Sequence, residues 1–507
     1  MRINFNPLLK SKFWRGIFCT IIVLGCSSRE VTHEKSPNVI YILADDLGYG
    51  DLSIYNPQSR IKTPYLDQMA RDGMRFTDMH STSAVCTPTR YSILTGEYAW
   101  RTPLKRGVLW SYGPLMISET KETVPKLFKN NNYQTAVIGK WHLGLDWVLK
   151  NPFDSTQVNR NKQGLIIDYN QNQIDFSKPP KRGPFDVGFD YSYIIPASLD
   201  IPPYVYIENG QFTQAVNDYT QGSNLNADYD GPFWRPGPMA EDFDFYEVLP
   251  TFISKAKAFI TNANEQTSPF FLYLPLAAPH TPWVPKEEEK GLSEAGMYGD
   301  FVSMVDRYVG ELISHVDELG LKEETLIVFT SDNGPYWKEK YIQSFQHRAA
   351  GNLKGMKGDI YEGGHRIPFI VQWPGKVKAG SESNNPNTLA NFYATMAEFF
   401  GAPSPPPDSY SVFKELTDES HIPEIKPIIH HSSNGHFALR KGKWKFVEKL
   451  GSGGFSKPSS IQTPKGASQE QLYNLEGDLA EQFDLSKKHP EELNQFKRML
   501  DSIRSLR

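Results

Sequence analysis

The sequence predicts an α/β fold in which a large, mainly parallel β-sheet is sandwiched between helices. Four apolar runs of strand length each end in polar residues, and helical patterns lie between them. A hairpin-rich pattern near the C-terminus predicts a further, smaller sheet. The length of 507 residues suits one large domain and one small domain.

The four apolar runs predict strands that are buried on both faces. They show little alternation between apolar and polar residues, which is typical of parallel strands covered by helices on both sides. The runs cover 39–44, 133–139, 269–274 and 325–330. The polar residues that follow them are Asp45 and Asp46, Lys140 and His142, His280, and Asp332 and Asn333.

Helical patterns connect these strands. The first begins after Thr63, a candidate N-cap that is followed by Pro64 in the first turn. Within 301–319, apolar residues recur at helical spacing. Further helices are predicted over 246–260 and, as the closing element, over 491–506.

Composition and charge narrow the classes of protein. Hydrophobic residues make up 39% and charged residues 22% of the chain, which argues against disorder and against a multi-span membrane protein. The formal net charge is −4, so a broad basic surface is not expected. We therefore expect no nucleic-acid partner.

The N-terminus predicts export. A basic start is followed by an apolar run over 17–24, which is too short to span a bilayer. The sequence Val23-Leu24-Gly25-Cys26 resembles a bacterial lipoprotein box, which implies a signal peptide over 1–25, a lipid on Cys26 and a polar tether over 26–36. The alternative is plain secretion. The expected location is the periplasm or cell surface, with a lipid anchor in a bacterial membrane.

The cysteine count excludes a disulfide framework in the mature chain. The sequence has 3 cysteines, of which Cys19 leaves with the signal peptide and Cys26 carries the lipid. Cys86 remains alone in an oxidising compartment, where a free thiol is a liability unless it is buried or chemically used.

The polar strand ends predict a site for a cation and an anion. Because ligands bind beyond the carboxyl ends of parallel strands, these residues can converge there. Asp45, Asp46, Asp332 and Asn333 offer only oxygen ligands, which suit Ca²⁺ or Mg²⁺ rather than zinc. Taken singly, each is more simply a cap or turn residue. The cationic half of the predicted site comprises Lys140, Lys357 and Arg90, with His142 and His280.

The segment around Cys86 carries a family resemblance. Cys86-Thr87-Pro88-Thr89-Arg90, followed by Thr95-Gly96, resembles the formylglycine signature of the type I sulfatases in the alkaline phosphatase superfamily. Thr89 stands where the commonest form has Ser. Further motifs in the family's order are Ala44-Asp45-Asp46-Leu47-Gly48, Gly139-Lys140-Trp141-His142-Leu143-Gly144, Ser331-Asp332-Asn333-Gly334 and Lys357-Gly358-Asp359-Ile360-Tyr361-Glu362-Gly363-Gly364. The resemblance covers nearly the whole mature chain.

The resemblance implies a modified nucleophile and a metal. A maturation enzyme would oxidise Cys86 to formylglycine, whose hydrate attacks sulfur near Arg90. The implied cation is one Ca²⁺ per chain, with Mg²⁺ as the fallback. Its implied ligands are Asp45, Asp46, Asp332, Asn333 and the modified residue 86.

The resemblance also implies roles for the remaining basic residues. His280, with Lys357, would protonate or stabilise the leaving oxygen. Lys140 and Lys357 would hold the sulfate oxygens. His142 would take a proton from the remaining hydroxyl of the hydrate, which expels sulfate. Glu362 and Arg366 are interpreted as structural because no step requires them.

The domain boundaries follow from composition. A Pro-rich stretch at 401–407 indicates a loop or linker, and we expect a catalytic domain over 37–415 and a C-terminal α+β subdomain over 416–507. The irregular region 146–247 is expected to carry specificity. Asp200, His347 and Arg348 are candidates for hydrogen bonds to sugar hydroxyls.

The function predicted from these observations is hydrolysis of sulfate esters, with a sulfated carbohydrate such as an algal polysaccharide fragment or a glycosaminoglycan as substrate. One alternative is a phosphate ester or phosphonate hydrolase of the same superfamily. An alternative of another class is a lipoprotein that binds sulfated glycans without catalysis.

Overall fold

The computed structural model describes residues 36–224, 233–266, 268–403, 406–464 and 468–506. The predicted signal peptide, the lipid site at Cys26 and all but the last residue of the tether lie outside these residues. From Ser36 onward the chain forms one compact unit. The boundary between 415 and 416 stays a prediction. None of the described helices is both long and apolar enough to cross a membrane.

A mixed sheet of ten strands forms the centre of the fold. Its strands are β1 (Asn38–Ala44), β2 (Met74–Phe76), β3 (Gln134–Lys140), β4 (Tyr191–Ile195), β5 (Ile207–Glu208), β6 (Gln211–Phe212), β7 (Phe270–Pro275), β8 (Thr325–Ser331), β9 (Phe369–Gln372) and β10 (Ser381–Ser383). Their spatial order is β10-β2-β9-β8-β1-β7-β3-β4-β5-β6. The four predicted strands are the neighbours β8-β1-β7-β3, and all are parallel.

Helices cover both faces of this sheet, as predicted. The helices are α1 (Pro64–Asp72), α2 (Cys86–Thr95), α3 (Val124–Lys129), α4 (Pro184–Val187), α5 (Val248–Glu265), α6 (Gly296–Glu318), α7 (Glu339–Phe345), α8 (Glu362–His365), α9 (Asn391–Phe399), α10 (Phe413–Thr417) and α11 (Pro490–Ser505). Ile40 and Ile42 of β1 lie in one core with α1, α5 and α6. Tyr41 and Leu43 lie in a second core with α2, α3 and α9. Burial on both faces therefore explains the unbroken apolar run in β1.

A four-stranded antiparallel sheet follows near the C-terminus, also as predicted. Its strands, in both chain and spatial order, are β11 (Ile428–His431), β12 (Phe437–Lys441), β13 (Trp444–Val447) and β14 (Gln471–Asn474). Phe496 and Leu500 of α11 pack against this sheet together with Tyr98 and Trp100.

Short strand pairs and 3₁₀ turns complete the described elements. The pairs are Met79–His80 with Asn387–Thr388, Val158–Arg160 with Ile166–Tyr169, Asp218–Thr220 with Gly237–Met239, and Ser223–Asn224 with Phe233–Trp234. The 3₁₀ turns are Ala99–Arg101, Gln171–Gln173, Phe245–Glu247, Glu287–Glu289 and Lys322–Glu324.

Candidate active site

The carboxyl ends of the four central strands supply most of the candidate site. β1 ends directly before Asp45, β3 ends at Lys140 and β8 ends directly before Asp332. Gly139 allows the close packing of β3 against β7, because a Cβ atom there would lie 1.9 Å from the carbonyl oxygen of Pro275. Parallel neighbours thus deliver acidic and basic side chains to one edge of the sheet.

Cys86 is the first residue of α2 and lies against this edge. Its buried sulfur is 3.6 Å from Oδ1 of Asp45 and 3.6 Å from Nζ of Lys140. Lys140 also donates to Oδ2 of Asp45 at 2.6 Å. The strand ends and the helix start therefore form a single cluster around the thiol.

Asp46 continues the cluster on the side of Lys357. It has a φ of 65°, a left-handed conformation that is uncommon outside glycine and that turns its carboxylate into the site. Nζ of Lys357 donates to its Oδ2 at 2.7 Å, and Nδ2 of Asn333 donates to its Oδ1 at 2.7 Å.

Asp332 is held by the guanidinium group of Arg90. Nε and Nη2 of Arg90 donate to Oδ2 of Asp332 at 3.0 Å and 2.8 Å, and all of these atoms are buried. Nη1 donates to the backbone carbonyl of Lys140 at 3.1 Å. Because Arg90 lies one helical turn after Cys86 in α2, these hydrogen bonds fix the carboxylate of Asp332 beside the cluster.

Two histidines lie on the same edge, and their hydrogen bonds define their tautomers. Nε2 of His142 lies 2.9 Å from the carbonyl oxygen of Leu109, so that nitrogen carries the proton and the buried Nδ1 is left as an acceptor. Nδ1 of His280 lies 2.6 Å from the carbonyl oxygen of Thr281, and its Nε2 lies 3.6 Å from Oδ2 of Asp46.

Burial and charge act against each other in this cluster. Burial acts to raise the pKa of Asp45, but the charges of Lys140, His280 and Arg90 outweigh it and hold that pKa well below its ordinary value. Burial and the nearby charge of Asp45 raise the pKa of Asp332 to about 6. Burial raises the pKa of the Cys86 thiol.

The same balance sets the charge of the basic residues. Burial, followed by the charges of Lys140 and Arg90, lowers the pKa of His142 well below its ordinary value, so its ring is neutral. Burial acts to lower the pKa of Lys357, but the charge of Asp46 outweighs it and raises that pKa.

The donor set fits a hard divalent cation. Ligand atoms of Asp45, Asp46, Cys86 and His280 all lie within 4.8 Å of one another. Oδ1 of Asn333 is buried and has no hydrogen-bond partner among the described residues, as expected of an oxygen reserved for a ligand. Carboxylate and amide oxygens around a buried point are the ligands that Ca²⁺ and Mg²⁺ prefer.

The three candidates for sugar contacts lie in different surroundings. Asp200 lies beside the cluster, with its Oδ1 3.9 Å from Nδ1 of His280. His347 is fully buried, with Nε2 2.8 Å from Asp51 and Nδ1 accepting from the backbone of Arg60. Because both ring nitrogens are occupied inside the protein, a contact of His347 with substrate is ruled out. Arg348 is exposed and lines a separate small pocket of about 140 Å³.

Glu362 and Arg366 belong to a second buried group of charges. Arg366 donates to Glu362 at 2.8 Å, and Lys445 donates to the other oxygen of Glu362 at 2.9 Å. Lys445 also lies 2.9 Å from Glu481. Sequence reasoning placed Glu362 and Arg366 outside the chemistry but missed Lys445, whose position in a plain β-hairpin gives no sign of its partners.

The sequence analysis also did not predict the hydrogen-bond partners of the two histidines. Ser198 lies 3.2 Å from Nδ1 of His280, and Leu109 contributes only a backbone carbonyl to His142. Arg235 pairs with Asp200 and was not predicted. A backbone carbonyl leaves no signal in the sequence, and the position of Arg235 becomes apparent only from its pairing with Asp200.

The chain is similar to known proteins over most of its length. A family model described as Sulfatase matches residues 37–402. An N-acetylgalactosamine-6-O-sulfatase of Bacteroides thetaiotaomicron is 31% identical over 525 residues, which cover 96% of this chain and 97% of that protein. Arylsulfatase A of Homo sapiens is 31% identical over 81% of this chain and 74% of that protein. A solved structure from work on glycosaminoglycan metabolism by Bacteroides thetaiotaomicron superposes with a TM-score of 0.77 at 29% identity, covering 93% of this chain and 100% of that one.

Proposed function

Because the chain belongs to the sulfatase family and is a sulfuric ester hydrolase, we propose that it removes sulfate from a sulfated carbohydrate with a formylglycine made from Cys86. The observation that carries this proposal is the position of the Cys86 sulfur, which lies 3.6 Å from both Asp45 and Lys140. Oxidation of the thiol by a maturation enzyme would place an aldehyde, and in water its hydrate, at that point. The hydrate supplies the nucleophile.

We propose Ca²⁺ as the resident cation, with Mg²⁺ as the fallback. Asp45, Asp46, Asp332 and Asn333 would hold it together with residue 86. When bound, it supplies positive charge against the charge that develops on the sulfate oxygens. Lys140 and Lys357 donate to two of these carboxylates, Asp45 and Asp46, so both ammonium groups lie where they would contact the sulfate oxygens.

The two histidines suit opposite proton transfers. Nδ1 of His142 is an unpartnered acceptor among the described residues, so it takes a proton from the hydroxyl derived from residue 86. Nε2 of His280 faces the cluster and lies 3.6 Å from Oδ2 of Asp46. That nitrogen gives its proton to the oxygen of the departing sugar.

We also propose that the protein is exported and held by a lipid on Cys26. The basic start, the short apolar run and Gly25-Cys26 support this. Labelling of cells with a fatty acid should mark the wild-type protein and not Cys26→Ala. An unlabelled wild-type protein that is still exported would favour plain secretion.

The test of the activity is sulfate release by protein whose modification at Cys86 has been verified by mass spectrometry. The first substrate is N-acetylgalactosamine 6-sulfate, since a relative named for its action on that sugar is similar over nearly the full chain. Matched substrates are the 4-sulfate and the 6-phosphate of the same sugar. Preference for the 6-phosphate would favour the phosphate ester alternative, and tight binding without turnover would favour the glycan-binding alternative.

A further inference from the structure

Three side chains form a rim beside His280 that the proposed chemistry does not use. They are Trp110, Asp200 and Arg235, and we call them the rim trio. The guanidinium group of Arg235 contacts Oδ2 of Asp200 and lies 5.5 Å from the ring centre of Trp110. The side chain of Arg235 is 39% exposed and that of Asp200 only 10%, while Trp110 is 37% exposed. The trio thus combines a buried acid with two accessible groups.

The rim trio is tied to both histidines of the active site. Oδ1 of Asp200 lies 3.9 Å from Nδ1 of His280. Trp110 follows Leu109, whose carbonyl oxygen fixes His142. The trio therefore lies beside the ring that we propose to protonate the departing sugar, where the sugar itself must sit.

The available hydrogen-bonding atoms of the trio match hydroxyl groups. Oδ1 of Asp200 is buried without a hydrogen-bond partner among the described residues. Arg235 uses only Nη1 in its described hydrogen bonds, to the carbonyl and carboxylate of Asp200. An acceptor beside free N–H donors suits a hydroxyl group, which both donates and accepts. The indole of Trp110 offers an apolar face for a sugar ring.

The charges of the trio do not favour binding of a second anionic group of the substrate. The positive charge of Arg235 is paired with the carboxylate of Asp200, so the pair has no net charge to attract a further sulfate or carboxylate. The backbone of Arg235 is fixed separately, since its N–H donates to the carbonyl of Asp200 and its carbonyl accepts from the hydroxyl of Tyr204.

We propose that Trp110, Asp200 and Arg235 form the subsite that binds the sugar ring of the substrate through its uncharged hydroxyl groups. This inference rests on the proposed function, because the sugar that the subsite would bind is the leaving group of the proposed reaction. It makes the enzyme selective for sulfated sugars over small aryl sulfates.

The test compares kcat/KM for N-acetylgalactosamine 6-sulfate and for p-nitrophenyl sulfate. We expect Arg235→Met and Trp110→Ala to lower the value for the sugar sulfate by about 10- to 100-fold more than the value for the aryl sulfate. Arg235→Lys keeps the charge and loses the planar group, and it should show the same bias. Arg160→Met, at an exposed arginine in a separate strand pair, is the matched control. Thermal melting verifies the fold of each variant.

Equal losses on both substrates, or no loss on the sugar, would overturn the subsite. A second sulfate on the same sugar should not raise kcat/KM. If it raises kcat/KM for wild type but not for Arg235→Met, the trio binds an anion instead of hydroxyl groups. If no ester is hydrolysed, the proposed function has failed. The subsite is then tested by the binding of unsulfated N-acetylgalactosamine, measured by tryptophan fluorescence. If wild type binds this sugar and Arg235→Met does not, the subsite is supported. If wild type does not bind it, or if Arg235→Met binds it equally well, the subsite is wrong.

Discussion

The sulfur of Cys86 lies 3.6 Å from Oδ1 of Asp45, although 41 positions separate the two residues in the chain. The contact joins the start of α2 to the end of β1. It places an oxidisable thiol among carboxylates that would repel one another without cations between them. The chemistry proposed for residue 86 depends on this contact.

Replacement of the thiol should remove the activity and keep the fold. Cys86→Ala deletes one buried atom, so we expect a loss of only about 1 kcal/mol in the free energy of unfolding. Sulfate release should fall to background because no aldehyde can form. Cys86→Ser is the control for side-chain size. Turnover by Cys86→Ala protein would contradict the proposed nucleophile.

Removal of the metal should lower both stability and activity. After chelation, added Ca²⁺ should raise Tm, since an ion that binds only the folded state at 100 times its Kd adds about 2.7 kcal/mol. Asp332→Asn should weaken this response, whereas Asp501→Asn at an exposed position of α11 should not. A melting temperature that neither Ca²⁺ nor Mg²⁺ moves would argue against a resident divalent cation.

The centre of the fold was predictable because burial on both faces leaves a readable pattern. Ile40 and Tyr41 point into different cores, so residues 39–44 of β1 form an unbroken apolar run. The polar residues after such strands are conspicuous for the same reason. Parallel pairing of β8, β1, β7 and β3 then brings them together.

The direction of the outer strands and the positions of several polar side chains depend on contacts between distant residues, which the local sequence does not show. β9 has the same apolar character as its neighbour β8, yet it pairs with it in the antiparallel direction. His347 was predicted to contact sugar, but its partner Asp51 is 296 positions away and draws it into the interior. Arg235 lies in a segment whose aromatic residues indicate loops or surface, and only its pairing with Asp200 places it near the site.

Lys445 should be essential for stability because it separates two buried acids. It lies 2.9 Å from Glu362 and 2.9 Å from Glu481, and all three side chains are fully buried. Lys445→Met leaves both carboxylates without their shared cation, so we expect a loss of about 3–5 kcal/mol in the free energy of unfolding. Urea unfolding measures this loss.

The control for this prediction is Lys441→Met, at an exposed lysine of the neighbouring strand. Adding Glu481→Gln to Lys445→Met should restore part of the lost stability, since one buried charge is removed. A loss below about 1 kcal/mol in Lys445→Met would show that the buried acids are stabilised in another way.

Three buried histidines should lose their contribution to stability as the pH drops below about 6.5, the ordinary pKa of histidine. Burial lowers the pKa of His431 to about 4, and burial, followed by the charge of a neighbouring group, lowers those of His365 and His430 well below the ordinary value. Between pH 6.5 and 4 these three rings therefore bind fewer protons in the folded chain than in the unfolded chain, and the stability that they contribute is lost. For His431 alone the loss amounts to about 3 kcal/mol.

Urea unfolding between pH 7.5 and 4.5 checks this dependence. His431→Phe should make the free energy of unfolding less dependent on pH, whereas His421→Phe at an exposed position should not. An equally steep dependence in His431→Phe would show that this ring does not remain neutral in the folded protein.

The proposed role of His280 predicts a dependence on the leaving group. Its Nε2 faces the site, 3.6 Å from Asp46, and its Nδ1 is held by Thr281. A sugar alkoxide needs a proton to depart, whereas p-nitrophenolate departs readily without one. His280→Ala should therefore lower kcat for N-acetylgalactosamine 6-sulfate by about 10²- to 10⁴-fold and lower kcat for p-nitrophenyl sulfate much less. His142→Ala is the contrast, because loss of a base needed to expel sulfate should slow both esters. Equal losses for both esters in His280→Ala would assign that ring to positioning instead of proton donation.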